Sequence, residues 1–225
     1  MKENNISSYK IIDLTLTIFP GMPQYEGEPP INFELFSNLE KEGARGTKIN
    51  LSVHTGTHID SPKHRLEQGK GIDEIPLTKL IGNAITIDFS HKPSNSLIEG
   101  SDLEPYNSSI TNGDIVIFYT RTAELWCSNL PPRNVYLDKS GAEWLVNKKV
   151  NCVGIDSLTI ESPLSKGEVH KILLSNDIII IEGLSSNIKQ LIGKKVFFVC
   201  APMKLKGLDG APARAFAILN KKAFA

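Results

Sequence analysis

Residues 54–64, with the sequence HTGTHIDSPKH, constrain the fold of this chain more than any other segment. They hold three of its five histidines, and Asp60 lies among them. From Ile49 to Asp60, apolar or threonine residues alternate with polar ones, which predicts a β-strand with one polar face. His54, His58 and Asp60 all fall on that face. Imidazole and carboxylate groups bind first-row dications, so the segment predicts a metal site.

The spacing along an extended strand limits how these side chains could bind one ion. A rise of about 3.3 Å per residue separates the α-carbons of His54 and His58 by roughly 13 Å. Two imidazoles with metal–nitrogen bonds of about 2.0–2.1 Å can hardly bridge that distance. We therefore expect a bend at Gly56, where glycine permits it, and an end to the strand at Pro62. A solvated strand face that holds histidines by chance is the alternative interpretation.

Composition narrows the class of protein. The chain has 225 residues, enough for one sizeable core, with 25 basic and 25 acidic residues. This neutrality does not favour nucleic acid or an anionic membrane as a partner. The apolar runs are too short to span a bilayer, and residues 1–10 are polar, without the apolar stretch of a signal peptide. We therefore expect a cytoplasmic protein.

The cysteines are Cys127, Cys152 and Cys200, which are widely spaced and form no CxxC pair. We expect reduced thiols, as in cytosolic proteins. The apolar neighbours of Cys152 and Cys200 predict that both are core residues.

Short strands and short helices alternate along the chain. Strands are predicted over residues 11–18, 31–38, 83–89, 115–119, 152–155, 177–181, 195–201 and 214–219. Helices are predicted over residues 99–106 (N-cap Ser101, with Glu104 in a capping box), 140–147 (N-cap Ser140) and 188–192, and a helix or turn over 77–81 and over 168–175. The polar, proline-containing segment 120–134 predicts a loop beside the site. Together they predict an α/β or α+β fold in a single domain (residues 1–225), with a mixed, strand-rich central sheet and flanking short helices.

Two further residues are candidates for the same site. His170 lies just before a helical or turn segment, and on its own a surface position explains it equally well. Glu182 follows four consecutive isoleucines, at the end of a strand that we expect to be buried on both faces. A carboxylate there either reaches solvent or pairs with a cation, and spacing alone leaves both interpretations open.

The segment from His54 to His64 resembles the HxGTHxDxPxH signature of metal-dependent cyclases and kynurenine formamidase-like hydrolases. The resemblance covers nearly the whole chain, through Asp13-Leu14-Thr15, Pro20–Pro23, Gly154-Ile155-Asp156, Asn176-Asp177-Ile178 and Lys206–Arg214. It implies the swivelling β/α/β-like fold of that family and a homodimer or homotetramer. It also implies a two-metal site that a histidine and a glutamate twelve residues apart complete. His170 and Glu182 have this spacing.

The resemblance also implies roles for individual residues. Carried over by position, His54 and His58 would bind one metal and His170 a second. Asp60 and Glu182 would bridge the two metals, and His64 would transfer protons. The implied cofactor is Zn²⁺, two per subunit, with Mn²⁺ or another divalent cation as the alternative.

Tyr25 matches the position of the aromatic residue that stacks on the substrate in this family. Dedicated kynurenine formamidases usually have tryptophan there, so the difference leaves the substrate open. A loop aromatic packed beneath its neighbouring prolines is an equal interpretation of Tyr25.

These residue types suit hydrolysis, and the resemblance implies an aryl formamide as the substrate, as in tryptophan catabolism. A metal lowers the pKa of bound water to about 7 and polarises a carbonyl, and His64 can pass a proton to the leaving amine. With N-formylkynurenine, an aromatic amide, the products are formate and an aryl amine. Alternatives are opening of a cyclic amide or lactone such as isatin, and a metal-dependent cyclase or dehydratase of secondary metabolism. A structural or ligand-binding zinc protein is disfavoured, since no cysteine lies near the motif.

Overall fold

The protein was analysed as a computed structural model that describes residues 8–125 and 133–220. Its strands are β1 (Tyr9–Asp13), β2 (Asn32–Ser37), β3 (Gly46–Asn50), β4 (His58–Asp60), β5 (Ile81–Asp88), β6 (Ser96–Ile98), β7 (Ile115–Tyr119), β8 (Val135–Leu137), β9 (Cys152–Ile155), β10 (Ile179–Glu182), β11 (Lys195–Pro202) and β12 (Gly210–Asn220). Its α-helices are α1 (Leu39–Glu42), α2 (Gly100–Leu103), α3 (Thr122–Leu125), α4 (Lys139–Lys148) and α5 (Glu168–Ser175). None of the helices in these two ranges is long and apolar enough to cross a bilayer.

Within the described residues, seven strands close into a barrel in the order β12–β11–β5–β7–β9–β10–β4, and β4 pairs again with β12. The pairs among β5, β7, β9 and β10 are parallel, and the remaining pairs of the ring are antiparallel. β1 pairs with β12 alongside the ring. The sequence predicts the mixed sheet, but not its closure, because the closing strands β4 and β12 are far apart in the chain.

The parallel strands are continuous apolar runs because both of their faces are buried. In β7, Ile115 and Ile117 point into the apolar cluster that the barrel strands enclose. Val116 and Phe118 point the other way, into a second cluster that includes side chains of α4 and α5. Cys152 and Cys200 are fully buried in the first cluster, as predicted, whereas Cys127 lies outside the described residues.

The motif segment is two strands joined by a turn, which corrects the prediction of one bent strand. β3 ends at Asn50, residues 51–57 form turns and bends, and β4 begins at His58. Gly56 has a φ of 65°, so the expected bend is present, but His54 lies in the turn and not on a strand face. The alternating pattern is misleading here because Thr57 is buried, accepting a hydrogen bond from Leu16 N (2.8 Å) and donating to the Gly183 carbonyl.

The predicted N-caps of two helices are wrong. Asp138, not Ser140, caps α4 by accepting a hydrogen bond from Gly141 N at 2.8 Å. α2 begins after Glu99, whose N–H donates to Asp102 Oδ2 at 2.7 Å. Both helices thus begin earlier than predicted, since an acidic side chain is available in each case.

The bounds of several other elements also differ from the prediction. The first strand ends at Asp13 and not at residue 18, and the last one extends from Gly210 to Asn220. Residues Leu77–Lys79 and Ser186–Leu191 form 3-10 helices. The predicted loop over 120–134 contains α3, and its residues 126–132 lie outside the described part of the chain.

Candidate metal centre

Four elements bring the predicted metal ligands together. The 51–57 turn supplies His54, β4 supplies His58 and Asp60, α5 supplies His170, and β10 supplies Glu182. β4 and β10 are antiparallel, with His58 directly opposite Glu182, and opposite residues of such a pair point to the same side. We call these five residues the ligand cluster.

The two carboxylates of the ligand cluster lie among its imidazole rings, Asp60 beside three of them and Glu182 beside two. Asp60 Oδ1 is 2.8 Å from His54 Nδ1 and 3.5 Å from His58 Nε2, and Asp60 Oδ2 is 3.4 Å from His170 Nε2. Glu182 Oε2 is 3.5 Å from His58 Nε2, and Glu182 Oε1 is 3.1 Å from His170 Nε2. Each carboxylate thus directs one oxygen to His58 and the other to His170. These residues could hold a divalent cation, and their individual ligand roles stay predictions.

The donor atoms fit a divalent cation in two respects. Two atoms bound to one ion by bonds of about 2.0–2.1 Å lie about 2.9–3.4 Å apart, close to the distances found here. His58 Nε2 is buried and forms no hydrogen bond with the described residues. A buried imidazole nitrogen without a hydrogen bond, beside two carboxylates, is the environment of a ligand atom. Asp60 belongs to two possible donor groups, one with His58 and Glu182 and one with His54 and His64.

Each of the three imidazole rings of the ligand cluster also has a partner on the side that faces away from the cluster. The outward nitrogen of each ring faces an oxygen, with His54 Nε2 at 2.8 Å from Asp209 Oδ2, His58 Nδ1 at 2.9 Å from Gly56 O, and His170 Nδ1 at 3.1 Å from Glu161 Oε1. The contacts of His54 and His58 are hydrogen bonds, which fix the tautomer and leave the inward nitrogen free to bind a metal. The contact of His170 with Glu161 is an ion-pair contact without hydrogen-bond geometry.

Glu161 and Asp209 are functional candidates that the sequence analysis missed. Glu161 is buried, and its second oxygen accepts a hydrogen bond from Val169 N at 2.7 Å, at the start of α5. Asp209 precedes β12, whose first residue Gly210 pairs with Asp60. Local sequence gives no signal for either contact, because tertiary pairing creates both. The one available hint is that Asp209 falls in the 206–214 segment that carries the family resemblance.

Carboxylates and imidazoles in the ligand cluster shift one another's protonation. Burial opposes ionisation of Asp60, but hydrogen bonds from the histidines hold its pKa well below the usual range. Burial likewise disfavours the charged form of His58, yet Asp60 and Glu182 raise its pKa to about 10. The pKa of His170 is raised well above its usual value for the same reason. A cation bound here would replace protons now held on imidazole.

His64 lies at the edge of the ligand cluster, at the end of a 3-10 turn (Pro62–His64). Its ring centroid is 4.4 Å from that of His54 and 5.6 Å from that of His170. Burial and the nearby His54 hold the pKa of His64 below its usual value, although Asp60 opposes this. His64 is therefore largely neutral near pH 7 and can accept a proton.

A cavity of about 570 Å³ opens above the ligand cluster and His64. Its wall includes Tyr25, which is 46% exposed and hence is not buried beneath its neighbouring prolines. The structure therefore brings all seven predicted site residues to one cavity.

Comparison with known proteins identifies the family. A family model described as "Putative cyclase" matches residues 12–162, more than half of the chain. The chain belongs to this cyclase family. The matched segment includes the motif and Glu161, whereas His170 and Glu182 lie beyond it.

Three known proteins are similar to this chain in sequence or in fold. A solved structure described as a "potential metal-dependent hydrolase with cyclase activity" is 34% identical, with a TM-score of 0.79 over 93% of this chain and 98% of that one. The kynurenine formamidase of Salinibacter ruber is 25% identical over 91% of this chain and 95% of its own. Isatin hydrolase A of Labrenzia aggregata has the same fold (TM-score 0.85, 95% of each chain) at 21% identity.

Proposed function

We propose that this cyclase-family member is a metal-dependent amidohydrolase that cleaves the formamide of N-formylkynurenine or a related aryl formamide, a step of tryptophan catabolism. The observation that carries the proposal is the pair of buried carboxylates, Asp60 shared by three imidazoles and Glu182 by two, at the base of a cavity that also contains His64. The similarity to kynurenine formamidases supports the choice of substrate.

The residues that would hold the cation are those of the ligand cluster, namely His54, His58, Asp60, His170 and Glu182. The proposed cofactor is Zn²⁺, two per subunit, with Mn²⁺ or another dication as the alternative. When bound, it lowers the pKa of water and polarises a carbonyl oxygen.

His64 performs the proton transfers in this proposal. Its Nδ1 lies 3.4 Å from Asp209 Oδ2, so a hydrogen on Nδ1 leaves Nε2 free to accept a proton. As water adds to the formyl carbon, Nε2 takes a proton from it. The C–N bond then breaks, and the same proton goes to the leaving nitrogen, which yields formate and an aryl amine.

Tyr25 and the cavity walls bind the aromatic ring. Tyr25 offers a partly exposed ring face, on which a substrate ring can stack. Leu158 and Pro163 also line the cavity and give it apolar surface. Tyr25 therefore binds the aromatic ring of the substrate, and the ligand cluster and His64 carry out the hydrolysis.

Opening of a cyclic amide is the second candidate function. The fold is shared with isatin hydrolases, which favours this reaction as the alternative. The name of the 34% identical structure favours cyclase chemistry as a third.

Turnover with and without metal separates these functions. The purified protein is loaded with Zn²⁺ or Mn²⁺, and loss of the formyl group of N-formylkynurenine is compared with hydrolysis of isatin, before and after treatment with a chelator. We expect fast, chelator-sensitive release of formate. Bound metal without formate release would contradict the formamidase proposal and favour the alternatives. In His64→Ala, turnover should fall at least about 100-fold while metal binding persists.

We also propose that the chain forms a homodimer or homotetramer through the β2–β3 hairpin. Four large apolar side chains of this hairpin are 41–71% exposed: Phe33, Leu35, Phe36 and Ile49. A two-stranded hairpin is marginally stable without packing, so a second copy is the expected partner. Sedimentation should show an oligomer that Leu35→Glu weakens. A monomer at micromolar concentration would contradict this proposal.

A further inference from the structure

The rim of the cavity carries two cationic side chains that no carboxylate neutralises. Arg65 and Lys166 both line the cavity, and both are exposed. In residues 8–125 and 133–220, the ion pairs of lysine and arginine involve other residues. The rim therefore has a positive region without an ion-pair partner among the described residues.

The backbone holds these two residues on the same part of the rim. Guanidinium atoms of Arg65 lie 3.4–3.5 Å from the position that a Cβ on Gly167 would take, and Lys166 directly precedes Gly167. Lys166 has a φ of 53° because it ends the 3-10 helix Pro163–Ser165 as a left-handed C-cap. Two cations on the same part of the rim repel each other, and a bound anion would remove this repulsion.

The positive region lies beside His64 and the ligand cluster. Arg65 directly follows His64, and α5 begins after Gly167 and has His170 as its third residue. An anionic group bound by Arg65 and Lys166 would thus be attached to a molecule whose other end reaches the ligand cluster.

We propose that Arg65 and Lys166 bind a carboxylate of the substrate, and that the enzyme selects amides with this group over neutral amides. The inference rests on the proposed amide hydrolysis. A guanidinium binds a carboxylate with paired, charge-assisted hydrogen bonds, and a lysine adds a point charge.

The opposite charge is present in the same cavity. Glu28, on the loop of Tyr25, is half-buried and lines the cavity, and its carboxylate has no hydrogen-bond or ion-pair partner in the described parts of the chain. A positive and a negative region in one cavity match the ammonium and carboxylate of a free α-amino acid. The substrate class is therefore an aryl amide with an amino-acid side chain.

Formamides with different side chains test the assignment. N-formylkynurenine has both charged groups, N-formylkynurenamine lacks only the carboxylate, and 4-(2-formamidophenyl)-4-oxobutanoate lacks only the ammonium. For the metal-loaded enzyme, we expect loss of the carboxylate to raise KM about tenfold, the effect of one charge-assisted hydrogen bond near solvent. Loss of the ammonium should raise KM by a similar factor, and Glu28→Gln should remove that difference.

Substitutions of the cations complete the test. In Arg65→Gln, KM for N-formylkynurenine should rise about tenfold with little change in kcat, whereas KM for N-formylkynurenamine should stay within about twofold. Lys166→Gln should act in the same direction. Lys70→Gln, which removes an exposed cation away from the cavity lining, is the matched control and should change neither KM.

The outcomes distinguish this inference from the proposed function. An equal rise in KM for both substrates in Arg65→Gln would overturn the carboxylate site while leaving amide hydrolysis intact. Absence of hydrolysis would contradict the proposed function alone, since calorimetric Kd values for the same compounds still decide the inference. The carboxylate site is supported if the wild type binds N-formylkynurenine more tightly than N-formylkynurenamine and Arg65→Gln abolishes this preference. Equal Kd values of the wild type for the two compounds would overturn the carboxylate site.

Discussion

A buried carboxylate destabilises a protein unless hydrogen-bond donors or cations surround it, and both oxygens of Glu161 have such a partner. One oxygen lies 3.1 Å from His170 Nδ1, and the other accepts a hydrogen bond from Val169 N at 2.7 Å. The same side chain therefore begins α5 and orients an imidazole of the ligand cluster. This double role explains a buried acid that has no direct place in the proposed chemistry.

Glu161→Gln should weaken metal binding without unfolding the protein. The neutral amide removes the negative charge that faces His170 Nδ1, and loss of such outer contacts commonly lowers metal affinity 10–100-fold. Competitive titration with a metal indicator measures the change. Glu168→Gln, an exposed position that pairs with Lys139, is the control and should bind metal like the wild type. Equal losses in both variants would contradict this role of Glu161.

Asp156 should make stability depend on pH. Burial raises the pKa of this carboxyl to about 6, although hydrogen bonds from Thr120 oppose the rise. The folded state thus holds the proton more tightly than the unfolded state. The contribution of Asp156 to stability is complete below about pH 4 and is lost as the pH rises through 6.

Asp156→Asn removes that titration. Relative to wild type, the free energy of unfolding of the variant should increase by about 2.4 kcal/mol between pH 4 and pH 7. Urea unfolding of both proteins at the two pH values measures this difference, and titration of the other groups cancels. A difference between the proteins that does not change with pH would show that Asp156 is ionised in the folded state.

At the scale of elements, two tight backbone segments set the distance between β4 and β10. Gly56 and Gly183 both have positive φ, 65° and 66°, and a Cβ on Gly183 would overlap the Gly56 carbonyl oxygen. Gly183 directly follows Glu182, and Gly56 accepts the hydrogen bond from His58 Nδ1. The contact therefore positions a ligand on each strand.

Gly183→Ala should disrupt folding and the metal site together. We expect a loss of more than about 3 kcal/mol in unfolding free energy, because overlap with the backbone adds to the cost of a left-handed alanine. Gly193→Ala is the matched control, since Gly193 has a φ of 72° and open space around its α-carbon. It should lose only about 1 kcal/mol and retain metal. Similar losses in both variants, measured by urea unfolding, would contradict the packing argument.

The sequence predicts elements better than it predicts their junctions. The buried strand over Ile115–Tyr119 and the helix over Glu168–Ser175 agree with the structure because their apolar patterns are local. The alternating pattern predicts His54 on a strand face, but His54 lies in the 51–57 turn. The pattern misleads because Thr57, at the end of this turn, is buried by contacts with Leu16 and Gly183, which are distant in sequence. Helix starts at Asp138 and Glu99 were misplaced because several polar residues compete for each cap.

At the scale of the molecule, barrel closure is what completes the candidate site. β4 pairs with β10 on one side and with β12 on the other, so Asp60 lies opposite both Ile180 and Gly210. Closure therefore brings Asp209 within hydrogen-bond distance of His54 Nε2, the ring nitrogen that faces away from the ligand cluster. The family resemblance predicts the ligand residues, but the contact of Asp209 with His54 depends on this closure.

Metal binding should stabilise the whole barrel, because the ligand cluster joins the 51–57 turn, β4, α5 and β10. At free cation about 1,000-fold above Kd, binding adds about 4 kcal/mol to the free energy of unfolding. For a chain of this size, that is a rise in Tm of roughly 8–16 °C. Calorimetry with Zn²⁺ and with chelator measures it, and equal Tm values would contradict the linkage.

The most direct test of the account is the number of divalent cations bound per chain, measured by native mass spectrometry and elemental analysis of the wild type and Asp60→Asn. The account predicts two cations per wild-type chain. It predicts that Asp60→Asn, which removes a carboxylate shared by both positions, binds at least about 100-fold more weakly. Absence of bound cation in the wild type, or unchanged binding in Asp60→Asn, would contradict the assignment of this cavity as a metal centre.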